Sequence, residues 1–210
     1  RDSAKESKWN SSKPKAEPVF VAKESRSIQP HVENYFNDFD HEGMISNQLS
    51  QEGPALAVAD IDGDGDEDIF IGGAKGQAAV IYTHTTSGSV NGFIQEAFLQ
   101  DAAYEDTAAS FFDADGDGDE DLLVGSGGNE KADSKFFITR LYLNDGKGQF
   151  TASSQSIPGS NHNTSVIAPY DFDNDGDIDV FVGARSVPAV YGINPSHTLL
   201  INDGQGNFSD

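Results

Sequence analysis

The chain has 210 residues, no cysteine and a formal net charge of −22 at pH 7. The missing thiols exclude disulfides, zinc–thiolate centres and cysteine nucleophiles, and the acidity argues against nucleic acid, which wants a basic surface. No apolar run approaches the roughly 18 residues of a membrane span, and Arg1 to Pro18 is polar throughout, so no signal peptide is expected in this stretch and an exported protein is expected to be a processed chain.

Residues 1–27 are rich in Lys, Ser and Pro with little to bury, which predicts a flexible basic tail. Trp9 within it is read as incidental. Order is expected from about Ile28, with a short strand over Tyr35-Phe36-Asn37-Asp38-Phe39.

The repeats begin at Asp60. Residues 60–68 read DIDGDGDED, and the pattern returns as DADGDGDED at 113–121 and DFDNDGDID at 171–179. Carboxylates stand at loop positions 1, 3, 5, 7 and 9: Asp60, Asp62, Asp64, Asp66 and Asp68; Asp113, Asp115, Asp117, Asp119 and Asp121; Asp171, Asp173, Asp175, Asp177 and Asp179. Gly65, Gly118 and Gly176 all fall at position 6. A calcium loop takes side-chain oxygens at 1, 3 and 5, a backbone carbonyl at 7 and a further ligand at 9, with glycine at 6 for the sharp turn. Five carboxylates in nine residues repel one another unless a cation lies between them. A solvated acidic loop would account for one copy, but not for three with the same glycine. The expected cofactor is Ca²⁺, about three ions, one per loop. Seventeen of the thirty-one acids in residues 27–210 lie in these loops, so the acidity is mostly a metal-site property. The loops are not EF-hands, because position 12 is Ile71, Val124 or Val182 in place of a bidentate Glu.

Each loop is preceded by a short apolar stretch and followed by a strand-like run ending in glycine: Ile69-Phe70-Ile71-Gly72, Leu122-Leu123-Val124-Gly125 and Val180-Phe181-Val182-Gly183. A third strand, a Gly-rich turn and a fourth strand opening on Phe come next, as in Leu141 to Phe150 and Leu199 to Phe208, where Asp-Gly is a hairpin signal. Copy one is looser, with Val80-Ile81-Tyr82, a longer turn and then Gly92-Phe93. Four short antiparallel strands in roughly 55 residues have the size and content of a propeller blade. The chain is therefore predicted to be all-β, a β-propeller of four-stranded antiparallel blades with about three blades present. Repeats are placed at about 55–107, 108–165 and 166–210 within a partial propeller over 28–210.

These residues resemble the FG-GAP/VCBS repeat, the blade of integrin α-subunit propellers. The closer resemblance is to bacterial exported VCBS-repeat proteins of the ASPIC/UnbV type related to cartilage acidic protein. The phrases that carry it are Phe111 to Asp119, Leu141 to Gly146 and Phe181 to Pro188. The resemblance implies a propeller with calcium-binding Asp-rich loops and roles in adhesion, ligand binding or surface assembly, and it implies no reaction. Rings of this family usually have seven blades, so the chain is expected to be part of a longer protein or a fragment held by a partner.

In a meander, the first and third turns share one edge. The metal loops and Asn-Asp-Gly turns are therefore expected on one face, with the variable segments 126–139 and 184–198 on the other. Candidate ligand-binding residues there are Asn129, Glu130, Lys131, Arg185, Tyr191, Asn194 and His197, against the reading that these are ordinary solvated loops. The five histidines form no HExxH, and no GxSxG elbow or P-loop is present. The expectation is a non-catalytic calcium-binding module that binds a protein or glycan. Export to the extracellular space, a cell surface or a bacterial outer-membrane surface or periplasm is expected, because weak loops fill in millimolar calcium. Two alternatives stand beside it: a polysaccharide-active enzyme using the variable loops or further blades, and an accessory subunit of a membrane-associated complex.

Overall fold

The computed structural model describes residues 27–84, 89–130, 134–159 and 162–210. The expected tail, Trp9 and Lys131 lie outside the described residues.

The described residues form three four-stranded antiparallel sheets, each a simple meander. The first holds β1 (Leu56–Ala59), β2 (Asp68–Ile71), β3 (Val80–His84) and β4 (Val90–Phe93). The second holds β5 (Asp106–Phe112), β6 (Asp121–Ser126), β7 (Thr139–Asn144) and β8 (Phe150–Ala152). The third holds β9 (Asn163–Tyr170), β10 (Asp179–Ser186), β11 (Thr198–Asn202) and β12 (Phe208–Ser209). The first strands of successive sheets lie against one another, β1 on β5 and β5 on β9. This is a partial β-propeller of three blades.

The blades stack through two apolar layers. One joins Ala57, Ile61, Phe70 and Ile81 of the first blade to Leu122, Val124, Tyr142 and Phe150 of the second. The other joins Phe112, Leu123 and Leu141 of the second blade to Ile167, Val180, Val182 and Leu200 of the third. Every residue of β6 is buried, because a strand covered on both faces has no solvent side for polar residues to alternate onto. The outer faces of the stack carry exposed apolar side chains: Leu56 and Val58 on the first blade, and Val166, Tyr170 and Leu199 on the third.

Two local features depart from the sequence reading. Residues 35–39 are not a strand; the chain turns there in a 3₁₀ helix over Asp38–Asp40. The reason is Asp38, which is fully buried and accepts hydrogen bonds from Ser50 Oγ (2.5 Å), Ser50 N (3.3 Å) and Asn129 Nδ2 (2.8 Å). Burying the acid in place of its aromatic neighbours leaves Tyr35 and Phe39 in solvent. A short helix, α1 (Glu96–Gln100), also bridges blades one and two. Its Phe98 packs edge-on against Phe70 and Tyr142, with ring centroids 5.7 and 5.0 Å apart. Five residues hold too little periodicity to announce a helix.

A polar girder reinforces the first joint. Arg140, buried on β7, donates to Asp106 Oδ1 (2.5 Å), and Asp106 Oδ2 accepts from the Gly73 amide of the first blade (2.9 Å). Tyr142 Oη donates to Asp101 (2.6 Å) and accepts from Arg140 (3.0 Å).

Candidate metal centres

The three acidic loops occupy the turns from β1 to β2, β5 to β6 and β9 to β10, and each is built in the same way. The position-1 carboxylate folds the loop over itself. Asp60 accepts from the Gly63 and Gly65 amides (2.8 and 2.9 Å), Asp113 from Gly116 and Gly118 (2.8 and 3.1 Å), and Asp171 from Asn174 and Gly176 (2.7 and 3.2 Å). The position-6 glycines have φ of +89°, +93° and +103°, in the left-handed region that side chains disfavour, as the turn requires. Asn174 enters that region at φ +64° where the other two loops use Gly63 and Gly116. Asn is the usual substitute, because its short amide tolerates it.

The position-9 carboxylate opens the next strand and is buried. Its two oxygens tie the start of the loop to the end of the third strand. Asp121 accepts from Ala114 N (3.0 Å) and Asn144 N (2.8 Å), and Asp179 accepts from Phe172 N (2.8 Å) and Asn202 N (2.9 Å). In blade one Asp68 accepts from Ile61 N (3.3 Å) and His84 N (3.2 Å).

Carboxylates 1, 3 and 9 converge in each loop. Asp60, Asp62 and Asp68 offer ligand oxygens within 4.8 Å of one another, as do Asp113, Asp115 and Asp121, and Asp171, Asp173 and Asp179. The position-5 and position-7 residues Asp64, Asp66, Asp117, Asp119, Asp175 and Asp177 stand outside these groups and bracket the loop tip. Asp64 Oδ1 and Asp175 Oδ1, for example, accept the amides of Asp66 and Asp177 (2.9 and 3.0 Å).

The donor set fits a hard divalent cation. Asp115 Oδ1 is buried without a hydrogen-bond partner, although buried polar atoms are almost always paired. Burial, aided by the charges of Asp115 and Asp117, pushes Asp121 up to about 6 even though two amides pull it down. Burial likewise raises Asp68 and Asp115, and neighbouring aspartates add to both shifts. An all-oxygen cluster that resists its own ionisation is the environment a Ca²⁺-sized ion relieves. The Asp clusters could therefore hold metal ions. The ion would be held by the carboxylates at positions 1, 3 and 9 of each loop.

The sequence reading missed how the loops are coupled. Asn144, at the end of β7 in blade two, donates from Nδ2 to the position-2 carbonyl of loop one, Ile61 O (2.8 Å), and to Glu120 O (3.2 Å). Asn202 repeats this one blade on, donating to Ala114 O of loop two (2.8 Å) and to Ile178 O (3.2 Å). The side chain at position 2 enters the joint: Ile61 is 2% exposed and Ala114 is fully buried. Blade one has His84 at the corresponding place, and its Nδ1 donates to Glu67 O (2.5 Å). The hairpins also sit close to the loops, since a Cβ on Gly146 would lie 2.4 Å from Asp119 Oδ2, and one on Gly204 2.5 Å from Asp177 Oδ2. Metal loops and Asn-Asp-Gly turns thus share an edge, as the meander predicts. The signal was present in the sequence: Asn144 and Asn202 each follow position 9 of their own loop by 23 residues.

The candidate ligand residues lie at the opposite edge, and several are engaged internally. Asn129 is buried and bonds Asp38, while its Oδ1 accepts from Ala189 N (3.1 Å). Glu130 accepts from Asn34 Nδ2 (2.5 Å) and pairs with Lys75 (3.5 Å). Arg185 pairs with Glu52 (2.6 Å), and His197 Nδ1 accepts from Ala184 N (3.1 Å). Asn194 is exposed. Tyr191 is exposed and, with Arg185, Glu42, Leu49 and Ile193, lines a groove of about 240 Å³. The structure therefore brings Arg185 and Tyr191 together and ties Asn129 and Glu130 to the 27–52 segment.

Two overlapping stretches, residues 60–124 and 113–182, match the family described as FG-GAP-like repeat. No curated protein matches the chain.

Proposed function

The chain belongs to the FG-GAP-like repeat family, whose matches span more than half of it, and from that premise we propose that it is a non-catalytic, calcium-stabilised propeller module. It works outside the cytosol and binds a protein or glycan. The observation that carries the reading is the threefold construction of one cradle: three carboxylates gathered at each loop, with two of the loops clasped by the asparagine of the next blade. A device whose metal sites double as blade joints couples folding to calcium, which suits millimolar calcium. The kinship with bacterial exported ASPIC/UnbV-type proteins belongs to the same proposal.

The groove beside Arg185 and Tyr191 is the favoured ligand surface. It combines an exposed aromatic ring and a cation with apolar walls. Binding to a panel of extracellular proteins and polysaccharides, measured in calcium and after chelation, tests this. A partner held in calcium and lost on Tyr191→Ala is expected. Turnover of a polysaccharide, abolished by changes in the 184–198 loop, would replace the binding reading with the glycan-active one.

A second reading, assembly, is favoured by Phe172. It holds position 2 of loop three and is 43% exposed, where Ile61 and Ala114 are buried under the next blade. Its ring meets exposed Tyr170 edge-on (centroids 5.3 Å apart), and Val166 and Leu199 are exposed on the same blade. This face has the form of a blade joint awaiting its other half, as in a subunit docked on a partner of a membrane-associated complex. Native mass spectrometry of the protein from its source decides: a stoichiometric partner supports assembly, and a lone chain with calcium supports the module alone.

A further inference from the structure

The edge opposite the three loops holds a second kind of acidic cluster, built from different parts of the chain. Glu105, which immediately precedes β5, is 2% exposed, and neither of its carboxylate oxygens meets a hydrogen-bond donor in good geometry, the neighbouring Glu52 amide included. Two further buried acceptors beside it, Glu33 Oε2 and Asn34 Oδ1, are also unpartnered. Glu130 closes the group. A Cβ placed on Gly128 would lie 2.7 Å from Glu105 Oε2 and 2.8 Å from Glu130 Oε2, so the two carboxylates converge on one point of the backbone. Gly128 has φ +96° and carries no Cβ, and the missing Cβ leaves that point open for the oxygens.

Four buried oxygen acceptors of Glu33, Asn34 and Glu105 are left without donors among the described residues. Such atoms are rarely left unpaired, because each loses its hydration without replacement. Among the described residues the cation at the group is Lys75, whose Nζ stands 3.5 Å from Glu130 Oε2, and His31 serves the other oxygen of Glu33 (2.7 Å). Burial, then the charges of Glu130 and Glu33, push Glu105 up to about 9, with the Glu52 amide and Lys75 opposing. A cleft of about 10 Å³ lined by Lys75, Glu105, Glu130 and Phe136 reaches the group, room for one water-sized sphere.

We propose that Glu33, Asn34, Glu105 and Glu130 form a fourth divalent-cation site, taking Ca²⁺, at the edge opposite the repeat loops. The donors are all oxygen, which selects a hard ion over zinc or copper. The cluster is looser than the loops, for its three carboxylates do not all lie within 4.8 Å of one another as those of each loop do. An ion therefore draws Glu33 or Glu130 inward on binding. Because Glu33 and Asn34 belong to the segment before the first blade, and Glu105 and Glu130 to the second, the ion staples that segment onto the propeller. The site goes beyond the repeat-loop reading and does not depend on it.

The test is calcium titration calorimetry on the chelator-stripped full chain, comparing wild type with Glu105→Gln and with the triple variant Asp62→Asn, Asp115→Asn, Asp173→Asn. Glu105→Gln is expected to bind one ion fewer than wild type, and Glu130→Gln to weaken one site at least tenfold. The triple variant is expected to keep the Glu105-dependent ion, which separates failure of this proposal from failure of the loops. Equal stoichiometry and affinity in wild type and Glu105→Gln would overturn it, leaving Glu105 a buried protonated acid. Should Glu105→Gln fail to fold, wild-type crystals soaked in Mn²⁺ decide. An anomalous peak between Glu105 and Glu130 is expected, and its absence at full occupancy of the loops refutes the site.

Discussion

Replacing Asn144 with Ala removes a part whose whole cost can be worked from its contacts. The side chain is buried and makes four hydrogen bonds. Nδ2 serves Ile61 O and Glu120 O, and Oδ1 accepts the amides of Asp145 (2.9 Å) and Gly148 (3.1 Å). Each such bond is worth about 0.5–1.5 kcal/mol net. The Asp145 bond is local and water replaces much of it, but Ile61 O and the Gly148 amide lie in the buried joint. The expected loss is therefore about 2–4 kcal/mol, with water unable to reach every orphaned partner. Asn144→Asp keeps both acceptor bonds yet sets a carboxylate against two carbonyl oxygens, so it is expected to be at least as damaging. Urea denaturation in saturating calcium measures both. The metal-free comparison adds a second readout, since loosening loop one lowers its calcium affinity along with stability. A loss below about 1 kcal/mol for Asn144→Ala, with calcium affinity unchanged, would refute the clasp as the coupling between blades.

Other perturbations sort the remaining parts. Gly146→Ala meets both a left-handed backbone and Asp119, whereas Gly65→Ala at φ +89° meets nothing within 4 Å. Each pays a backbone cost of about 1–2 kcal/mol, and Gly146→Ala is expected to cost more by thermal denaturation. Ile61→Ala should lose about 2–5 kcal/mol by urea denaturation, because it empties the first joint. Phe172→Ala at the same loop position is solvent-facing and should change stability by less than about 1 kcal/mol while raising solubility. Arg140→Met leaves Asp106 buried without its cation and is expected to cost about 3–5 kcal/mol by the same assay, much of it recovered in the double variant with Asp106→Asn.

The blades were legible because their information is local and repeated. Strand two of each blade reads directly as Ile69-Phe70-Ile71, Leu122-Leu123-Val124 and Val180-Phe181-Val182, and the loop before it announces oxygen ligands. Convergence of positions 1, 3 and 9 could be anticipated only in outline. It depends on Asp68, Asp121 and Asp179 being pulled inward by amides from the third strand, 16 to 23 residues away. Asn144 and Asn202 were visible as turn residues, but their reach to the preceding blade is a property of stacking. Asp38 shows the reverse failure. An aromatic-rich stretch resembles a strand until one buried carboxylate, satisfied by Ser50 and Asn129 from distant segments, takes the inside position. The same distance effect turned Asn129 and Glu130 from apparent surface loop residues into anchors for the 27–52 segment.

The central claim is that calcium in the repeat loops holds the blades together. Its most direct test is the thermal midpoint of the full chain with and without calcium, beside the variant carrying Asp62→Asn, Asp115→Asn and Asp173→Asn. At calcium a hundredfold above the dissociation constant, each filled loop adds about 2.7 kcal/mol. Wild type is thus predicted to gain many degrees, and the variant to lose most of that gain. An unchanged wild-type midpoint, or an equal rise in the variant, would contradict the account.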